Sequence, residues 1–177
     1  VIDEAYVDYG TESCVPLLRG ANCPENLLVV HTLSKSRALA GLRVGFAVGH
    51  PTLIEGLERV KNSFNSYPLG RLAQAGAIAA IEDQAHLQET SAKVIQTRTN
   101  LVKQLNELGF DTLPSTANFI FTRHPKHAGQ KLYQALRDRG IIVRHFKSPR
   151  IEEFLRITIG TDEQSGELVA ALKEILA

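Results

Sequence analysis

The segment Thr32-Leu33-Ser34-Lys35 places an amine beside two hydroxyl groups, and Arg43 follows eight residues after the lysine. A lysine amine can form a Schiff base with a carbonyl, while hydroxyls and a guanidinium can hold a phosphate. The apolar run at residues 27–30 predicts a buried strand, so these groups follow a strand end, where open α/β sheets bind ligands. Enzymes that use pyridoxal phosphate require this combination of groups.

A second set of such groups opens the chain in Ile2-Asp3-Glu4-Ala5-Tyr6. A carboxylate at a strand end beside the cofactor keeps its pyridine nitrogen protonated, and the ring can then take up electrons from a breaking bond at the substrate carbon. Asp3 suits that role. A phenol three residues later can reach the ring oxygen beside the imine, which is the role predicted for Tyr6.

Taken together, four segments resemble motifs of the histidinol-phosphate aminotransferase family, within the aspartate aminotransferase superfamily of fold type I. They are, in order, residues 3–6, 32–35, 40–45 and 155–161. Each residue alone has an ordinary explanation, such as a solvated loop lysine, a turn aspartate or a rim arginine. The combination in this order is specific, and the resemblance covers essentially the whole chain.

The resemblance implies a role for each matching residue around the cofactor. Lys35 would bind the cofactor aldehyde and then act as acid and base. Asp3 would pair with the ring nitrogen, and Tyr6 would hydrogen-bond the ring oxygen and lower the pKa of the imine. The phosphate would be held by Thr32, Ser34 and Arg43.

The same resemblance implies where the substrate would bind. Arg156 matches the arginine that grips the anionic end of the substrate, since its planar fork suits a carboxylate or a phosphate. Arg144 matches a second family arginine that would add charge for a phosphorylated substrate. Asn118 belongs to a family motif on the substrate side.

The resemblance also implies an α/β fold of two parts. Residues 1–90 would be the C-terminal part of a cofactor-binding large domain with a mixed or parallel sheet, and residues 91–177 would be the α+β small domain. The chain begins inside a predicted strand and carries no upstream cofactor segments. It is therefore expected to be a fragment, inactive alone, of a protein that acts as a homodimer.

The implied reaction is amino transfer between glutamate or 2-oxoglutarate and histidinol phosphate or imidazole acetol phosphate, in histidine biosynthesis. Three alternatives stay open at this point. The same motifs occur in decarboxylases of phosphorylated amino acids, and aromatic amino-acid aminotransferases share the scaffold. A non-catalytic chain with an incomplete cofactor site is the third alternative.

The resemblance implies small amino and keto acids as partners, and the composition indicates no large charged or membrane partner. Hydrophobic residues make up 44% of the chain and the net charge is +1, so neither nucleic acid nor a membrane is indicated. The residues around Cys14 and Cys23 show no metal-ligand pattern. A disulfide between these cysteines is possible, but free thiols in a reducing cytoplasm are favoured.

Hydrophobic periodicity predicts alternating strands and helices along the chain. An amphipathic helix should begin at Pro51 and end before a linker at residues 62–69. Thr161 and Asp162 form a good N-cap pair for the last helix. The other predicted strands are 1–6, 27–33, 42–48, 118–122, 141–145 and 154–159, and the other predicted helices are 72–81, 84–108, 126–139 and 163–176.

Overall fold

A computed structural model describes residues 1–20 and 23–177. The chain divides into two compact units, Val1–Thr90 and Ser91–Ala177. Each unit has its own sheet and its own buried cluster of apolar side chains. Within the described residues, no helix is both long enough and apolar enough to cross a membrane.

The first unit is built on a three-stranded sheet of β1 (Ile2–Asp3), β2 (Leu28–Thr32) and β3 (Gly45–Gly49), in that order. β1 runs parallel to β2, and β3 runs antiparallel to β2. The C-terminal ends of β1 and β2 and the start of β3 therefore lie at one edge of this sheet.

Two helices follow the sheet, α1 (Pro51–Phe64) and α2 (Arg71–Glu82), and the long α3 (Gln84–Glu107) begins in the same unit. Pro51 stands in the first turn of α1, where its missing N–H costs nothing. α2 packs Ala77 against Leu33 and Val44. Small residues suit this contact, because a Cβ at Gly76 would come within 2.8 Å of the Leu42 Cδ1 atom.

The second unit contains an antiparallel sheet of β4 (Asp111–Thr112), β5 (Phe119–Arg123), β6 (Arg144–His145) and β7 (Phe154–Thr158). The strand order is β4-β5-β7-β6. Side chains alternate between the two faces of β5 and β7. One face buries apolar side chains, and their alternating neighbours, which include Phe119, Phe121 and Arg156, remain partly exposed.

The buried face packs against α3, α4 (Gly129–Asp138) and α5 (Asp162–Leu176). Burying a leucine in such a core contributes about 1.5–3 kcal/mol. The predicted N-cap of α5 is confirmed: the Thr161 hydroxyl accepts from the Gln164 N–H, and the Gln164 side chain accepts from the Thr161 N–H. The most deeply buried side chains of this core are Leu101, Leu105, Ile120, Leu132, Leu136, Leu155 and Leu172.

Several predicted element boundaries were wrong. The first strand stops at Asp3, because a 3₁₀ turn, Val7–Tyr9, follows it. The strand predicted at 42–48 begins at Gly45, because Arg43 has a left-handed backbone (φ 56°, ψ 40°) that no strand accommodates. The strand predicted at 141–145 is reduced to β6, and the helix predicted at 126–139 begins at Gly129. α1 continues to Phe64, so the linker starts later than predicted.

Candidate functional site

The strand register of the first unit brings three predicted site segments to one edge of the sheet. Asp3 ends β1 and lies opposite Val30 of the parallel strand β2. Thr32 ends β2 and lies opposite Gly45, the first residue of β3. Arg43 precedes Gly45 by two residues, so it reaches the same edge from the other direction. Residues that are far apart in the sequence are thereby gathered where open sheets bind ligands.

Lys35 lies in the turn that follows β2. The turn is closed by its own backbone, with Ala38 N donating to Lys35 O at 3.0 Å and Leu39 N donating to Leu33 O at 3.0 Å. Lys35 is exposed, and its Nζ atom lies 5.4 Å from the centroid of the Tyr6 ring. The structure therefore brings together the predicted amine and the predicted phenol.

The carboxylate of Asp3 accepts a hydrogen bond from the Ala5 N–H through Oδ1, at 2.9 Å. This local bond turns the chain out of β1, and Tyr6 then caps the 3₁₀ turn that follows. A carboxylate has a second oxygen with which to accept a further donor. The last residue of the 3₁₀ turn is buried: desolvation raises the pKa of Tyr9, and the charges of Asp8 and Tyr6 add to that shift.

The predicted phosphate-binding residues occupy the two ends of the loop between β2 and β3. The Thr32 hydroxyl accepts from the Ser34 N–H at 3.1 Å and donates to Val44 O at 3.5 Å, which fixes the start of the loop. At the other end, the exposed Arg43 donates from Nη1 to Ala40 O at 3.1 Å. The left-handed backbone of Arg43 turns the chain into β3. Hydroxyls and a guanidinium are suitable donors for a phosphate.

Two buried or half-buried carboxylates of this unit were missed by the sequence reasoning. Glu4 is 6% exposed and accepts hydrogen bonds from the Ser13 hydroxyl and the Cys14 N–H, so it holds the following loop. Asp8 accepts a hydrogen bond from the Ser36 hydroxyl. Their partners lie 9 to 28 positions away in the sequence, and no local pattern marks them.

Cys14 and Cys23 are free thiols, as the sequence favoured.

In the second unit, Arg144 and Arg156 lie directly opposite each other on β6 and β7, and Arg156 lies opposite Phe121 of β5. Residues paired in this way project from the same face of a sheet. The Arg156 guanidinium carbon lies 5.2 Å from the Phe119 ring centroid, and that of Arg144 lies 4.9 Å from the Phe146 ring. The partly exposed face of the sheet thus carries two guanidinium groups among aromatic rings.

The Nε atom of Arg156 is buried and has no hydrogen-bond partner within the described part of the chain. A buried donor without an acceptor is costly, by about 1–3 kcal/mol. A carboxylate or phosphate bound to the guanidinium fork would satisfy it. An unpartnered donor of this kind supports the prediction that Arg156 binds an anion, which stays a prediction.

Asn118 lies immediately before β5, and its backbone oxygen accepts from the Ile159 N–H at 2.9 Å. The preceding residue is held from the other side, because Nη1 of Arg98 donates to Ala117 O at 2.7 Å. Arg98 is 8% exposed, and desolvation lowers its pKa. Sequence reasoning missed Arg98, which looks in the sequence like one more charged residue of a long helix.

The predicted site residues fall into two separate groups: Asp3, Tyr6, Thr32, Ser34, Lys35 and Arg43 lie in the first unit, and Asn118, Arg144 and Arg156 lie in the second. Residues 1–20 and 23–177 contain no cluster of three histidine, cysteine or acidic residues arranged to hold a metal ion. The chemistry available is that of an amine, a phenol, a carboxylate and anion-binding cations.

Comparison with known proteins shows relatives along the whole chain. The chain is 65% identical over 176 residues to histidinol-phosphate aminotransferase of Aromatoleum aromaticum, and the aligned residues cover 99% of this chain and 49% of the relative. It is 62% identical to histidinol-phosphate aminotransferase 2 of Rhizobium meliloti, with the same coverage. The chain thus spans about half the length of the curated relatives it matches.

A solved structure has the same fold. The histidinol-phosphate aminotransferase from Sinorhizobium meliloti, in complex with pyridoxal-5'-phosphate, superposes with a TM-score of 0.82 at 28% identity, over 98% of this chain and 47% of that one. The predicted fold type I architecture is thereby confirmed. The family model for aminotransferase class I and II matches residues 1–172. The chain belongs to the class I and II aminotransferase family.

Proposed function

We propose that the protein encoded by the complete gene is a pyridoxal phosphate-dependent transferase of histidine biosynthesis. It moves an amino group between glutamate or 2-oxoglutarate and histidinol phosphate or imidazole acetol phosphate. Two observations support this activity: the chain belongs to the aminotransferase family, and it is 65% and 62% identical to two histidinol-phosphate aminotransferases. The observation that carries it is the gathering of Asp3, Lys35 and Arg43 at one edge of the first sheet.

The groups at this edge fit pyridoxal phosphate. The Lys35 amine would attach to the cofactor aldehyde, the Asp3 carboxylate would accept from the ring N–H, and the Tyr6 hydroxyl would donate to the ring oxygen. The phosphate would be held by donors from Thr32, Ser34 and Arg43. When bound, the cofactor supplies a ring that takes up the electrons of the breaking bond at the substrate carbon.

The chain's own part in the reaction is proton transfer and binding of anions. Lys35 would act as the general acid–base that takes the proton from the substrate α-carbon and delivers it to the cofactor carbon. Arg156 binds the anionic end of the substrate, a carboxylate in glutamate and a phosphate in its partner, through the donor that is otherwise orphaned. Arg144 adds charge for the dianion, and Asn118 lies on the substrate side.

We also propose that each unit belongs to a different domain and that the protein is cytoplasmic. Residues 1–90 are the C-terminal part of the cofactor-binding large domain, and residues 91–177 are the small domain. The free thiols Cys14 and Cys23 agree with a reducing cytoplasm.

The protein is proposed to work as a homodimer. Support comes from the end of α1 and the segment after it, where Phe64 and Tyr67 are 76% and 88% exposed, a large apolar area for a monomer to leave in water. Light scattering at micromolar concentration tests this. A fully active monomer would contradict it.

The decisive experiment replaces Lys35 in the protein expressed from its complete gene. Lys35→Ala should abolish the visible absorbance of the attached cofactor and lower kcat by several orders of magnitude, because attachment and proton transfer are both lost. Lys103→Ala, at an exposed position of α3, is the matched control and should leave both unchanged. Near-normal turnover of Lys35→Ala would refute the proposed function.

Substrate identity is tested by kcat/KM for each substrate with two arginine variants. Arg156→Ala should lose about 2–4 kcal/mol of transition-state binding with glutamate and with the phosphorylated substrate alike. Arg144→Ala should impair the phosphorylated substrate more, since a dianion can use both guanidinium groups. Equal losses would favour an aromatic amino-acid aminotransferase. Release of carbon dioxide without a keto acceptor would favour a decarboxylase of a phosphorylated amino acid.

A further inference from the structure

Two segments of the first unit that carry candidate site residues are tied together by one side-chain hydrogen bond. The Ser36 hydroxyl donates to Oδ2 of Asp8 at 2.5 Å, across 28 positions of sequence. Asp8 lies two residues after Tyr6, and Ser36 directly follows Lys35. The bond therefore joins the 3₁₀ turn that follows the phenol to the turn that carries the amine.

This hydrogen bond lies in a mostly buried environment. Ser36 is 9% exposed, and the Asp8 side chain is 22% exposed. His31 adds a second contact, with its Nε2 atom 3.6 Å from the same Oδ2 and its ring stacked on Phe46 at 5.1 Å. A carboxylate accepting a hydroxyl away from water forms one of the stronger kinds of protein hydrogen bond.

The bond supplies a connection that the backbone of the lysine turn does not. The hydrogen bonds from Ala38 N and Leu39 N close that turn onto itself, so they set its shape. Lys35 has a long exposed side chain with about 2 kcal/mol of rotamer entropy. The position of this turn relative to Tyr6 decides which atoms the Lys35 amine can reach. The Asp8–Ser36 bond holds the turn in that position.

We propose that Asp8 and Ser36 are positioning residues that hold the Lys35 amine at a fixed position relative to Tyr6. The inference rests on the proposed function, since it assigns the amine a cofactor and substrate to reach. Neither residue touches the reacting atoms. Their effect passes through the turn at residues 33–39, so it should appear in the chemical step and in cofactor affinity, and not in the binding of the substrate anion.

The test is a double-mutant cycle in the protein expressed from its complete gene, using Asp8→Ala, Ser36→Ala and the two combined. Three quantities are measured for each variant: kcat and KM for glutamate, the dissociation constant of pyridoxal phosphate from the apoprotein, and the melting temperature. Glu12→Ala removes an exposed carboxylate four residues further along and serves as the control.

Each single variant should lower kcat about ten- to hundredfold, the effect of a small misplacement of a reacting group. The cofactor dissociation constant should rise, while KM for glutamate should stay within about twofold, because the arginines that bind it are untouched. The double variant should be no worse than the poorer single one, since both remove the same bond. Glu12→Ala should behave as the unmodified protein.

Conservative variants separate positioning from folding. Ser36→Thr retains the hydroxyl and Asp8→Asn retains an acceptor oxygen, so both should stay within about threefold of the original kcat. They also keep the test usable if Asp8→Ala does not fold. A purely structural role would lower the melting temperature of the alanine variants without changing kcat or cofactor affinity.

Two results would overturn the inference. In the first, the alanine variants keep kcat and cofactor affinity within about twofold of the original, a change too small to indicate a misplaced amine. In the second, the losses of the single variants multiply in the double variant. Lys35→Ala distinguishes this failure from failure of the proposed function: if Lys35→Ala is inactive while the Asp8 and Ser36 variants are normal, only the positioning role is wrong.

Discussion

Arg98 is predicted to hold the start of β5 in place. Its Nη1 atom donates to Ala117 O at 2.7 Å, and the next residue, Asn118, accepts the Ile159 N–H through its backbone oxygen. The substitution Arg98→Met keeps most of the aliphatic stem and removes the guanidinium, so packing is largely retained while the hydrogen bond is lost.

The expected cost follows from the burial of this contact. Arg98 is 8% exposed, so solvent screens its hydrogen bond little, and the loss leaves Ala117 O without that donor. A hydrogen bond to a charged group contributes about 1.5–3 kcal/mol. Burying the charge costs free energy, which lowers the pKa of Arg98 and offsets part of this gain. We therefore expect a net loss of about 1–3 kcal/mol.

Hydrogen exchange resolves this loss at the affected strand. The Ile159 amide, which donates to Asn118 O, should exchange about 5- to 150-fold faster in Arg98→Met, the factor that corresponds to 1–3 kcal/mol. Arg137→Met is the control, because Arg137 is an exposed arginine on α4 whose contact with Tyr133 is one turn away and worth a few tenths of a kcal/mol. Equal exchange at Ile159 in both variants would refute the reasoning.

Three further predictions concern single side chains. Asp3→Asn should retain the cofactor but lose most of kcat, because an amide cannot keep the ring nitrogen protonated; unchanged kcat at saturating cofactor would contradict this. Burial, with the charge of His127 adding, lowers the pKa of His124 below its usual 6.5, so the unfolded chain binds a proton that the folded chain does not. This contribution to stability is therefore full above about pH 6.5 and falls on acidification. In urea titrations between about pH 7.5 and pH 5, the free energy of unfolding should fall less in His124→Asn than in the exposed control His86→Asn. Thr161→Ala should cost about 1 kcal/mol in urea unfolding and Thr161→Ser little, because serine keeps the N-cap oxygen.

The sequence predicted the position of the candidate site where residues with suitable side chains directly follow the end of a strand. An apolar run followed by Thr32, Ser34 and Lys35 predicted a strand and a ligand edge, and β2 ends at Thr32. The parallel pairing of β1 with β2 then brings Asp3 to the same edge. This part of the architecture follows from local patterns, because parallel strands end on the same side of a sheet.

Arg43 shows where alternation misleads. Apolar residues at 42, 44, 46 and 48 predicted a strand through Arg43, but its φ of 56° breaks the strand there and β3 begins at Gly45. Hydrophobic alternation reports which side chains are buried, and Val44 is indeed buried beside Leu33. It does not report the backbone of the polar residue between them, which the packing of the loop decides.

Long-range polar contacts could not be predicted from the sequence. Ser36 reaches Asp8 across 28 positions, and Arg98 reaches Ala117 across 19. Neither pair has a spacing that a helix or a hairpin would produce, so each depends on tertiary packing. These contacts surround the candidate site residues and hold the segments that carry them, whereas the sequence pattern indicates the site residues alone.

The two arginines of the second unit show how much the register adds to a motif. In the sequence Arg144 and Arg156 are twelve positions apart, and their roles rested on resemblance. In the sheet they are direct cross-strand neighbours on one face, and slipping either strand by one residue would send one of them to the buried face. Like charges placed opposite each other destabilise a sheet. This pair therefore lowers the stability of the fold, and the Arg156 Nε atom also lacks a partner in the described residues. A bound anion would restore the lost stability.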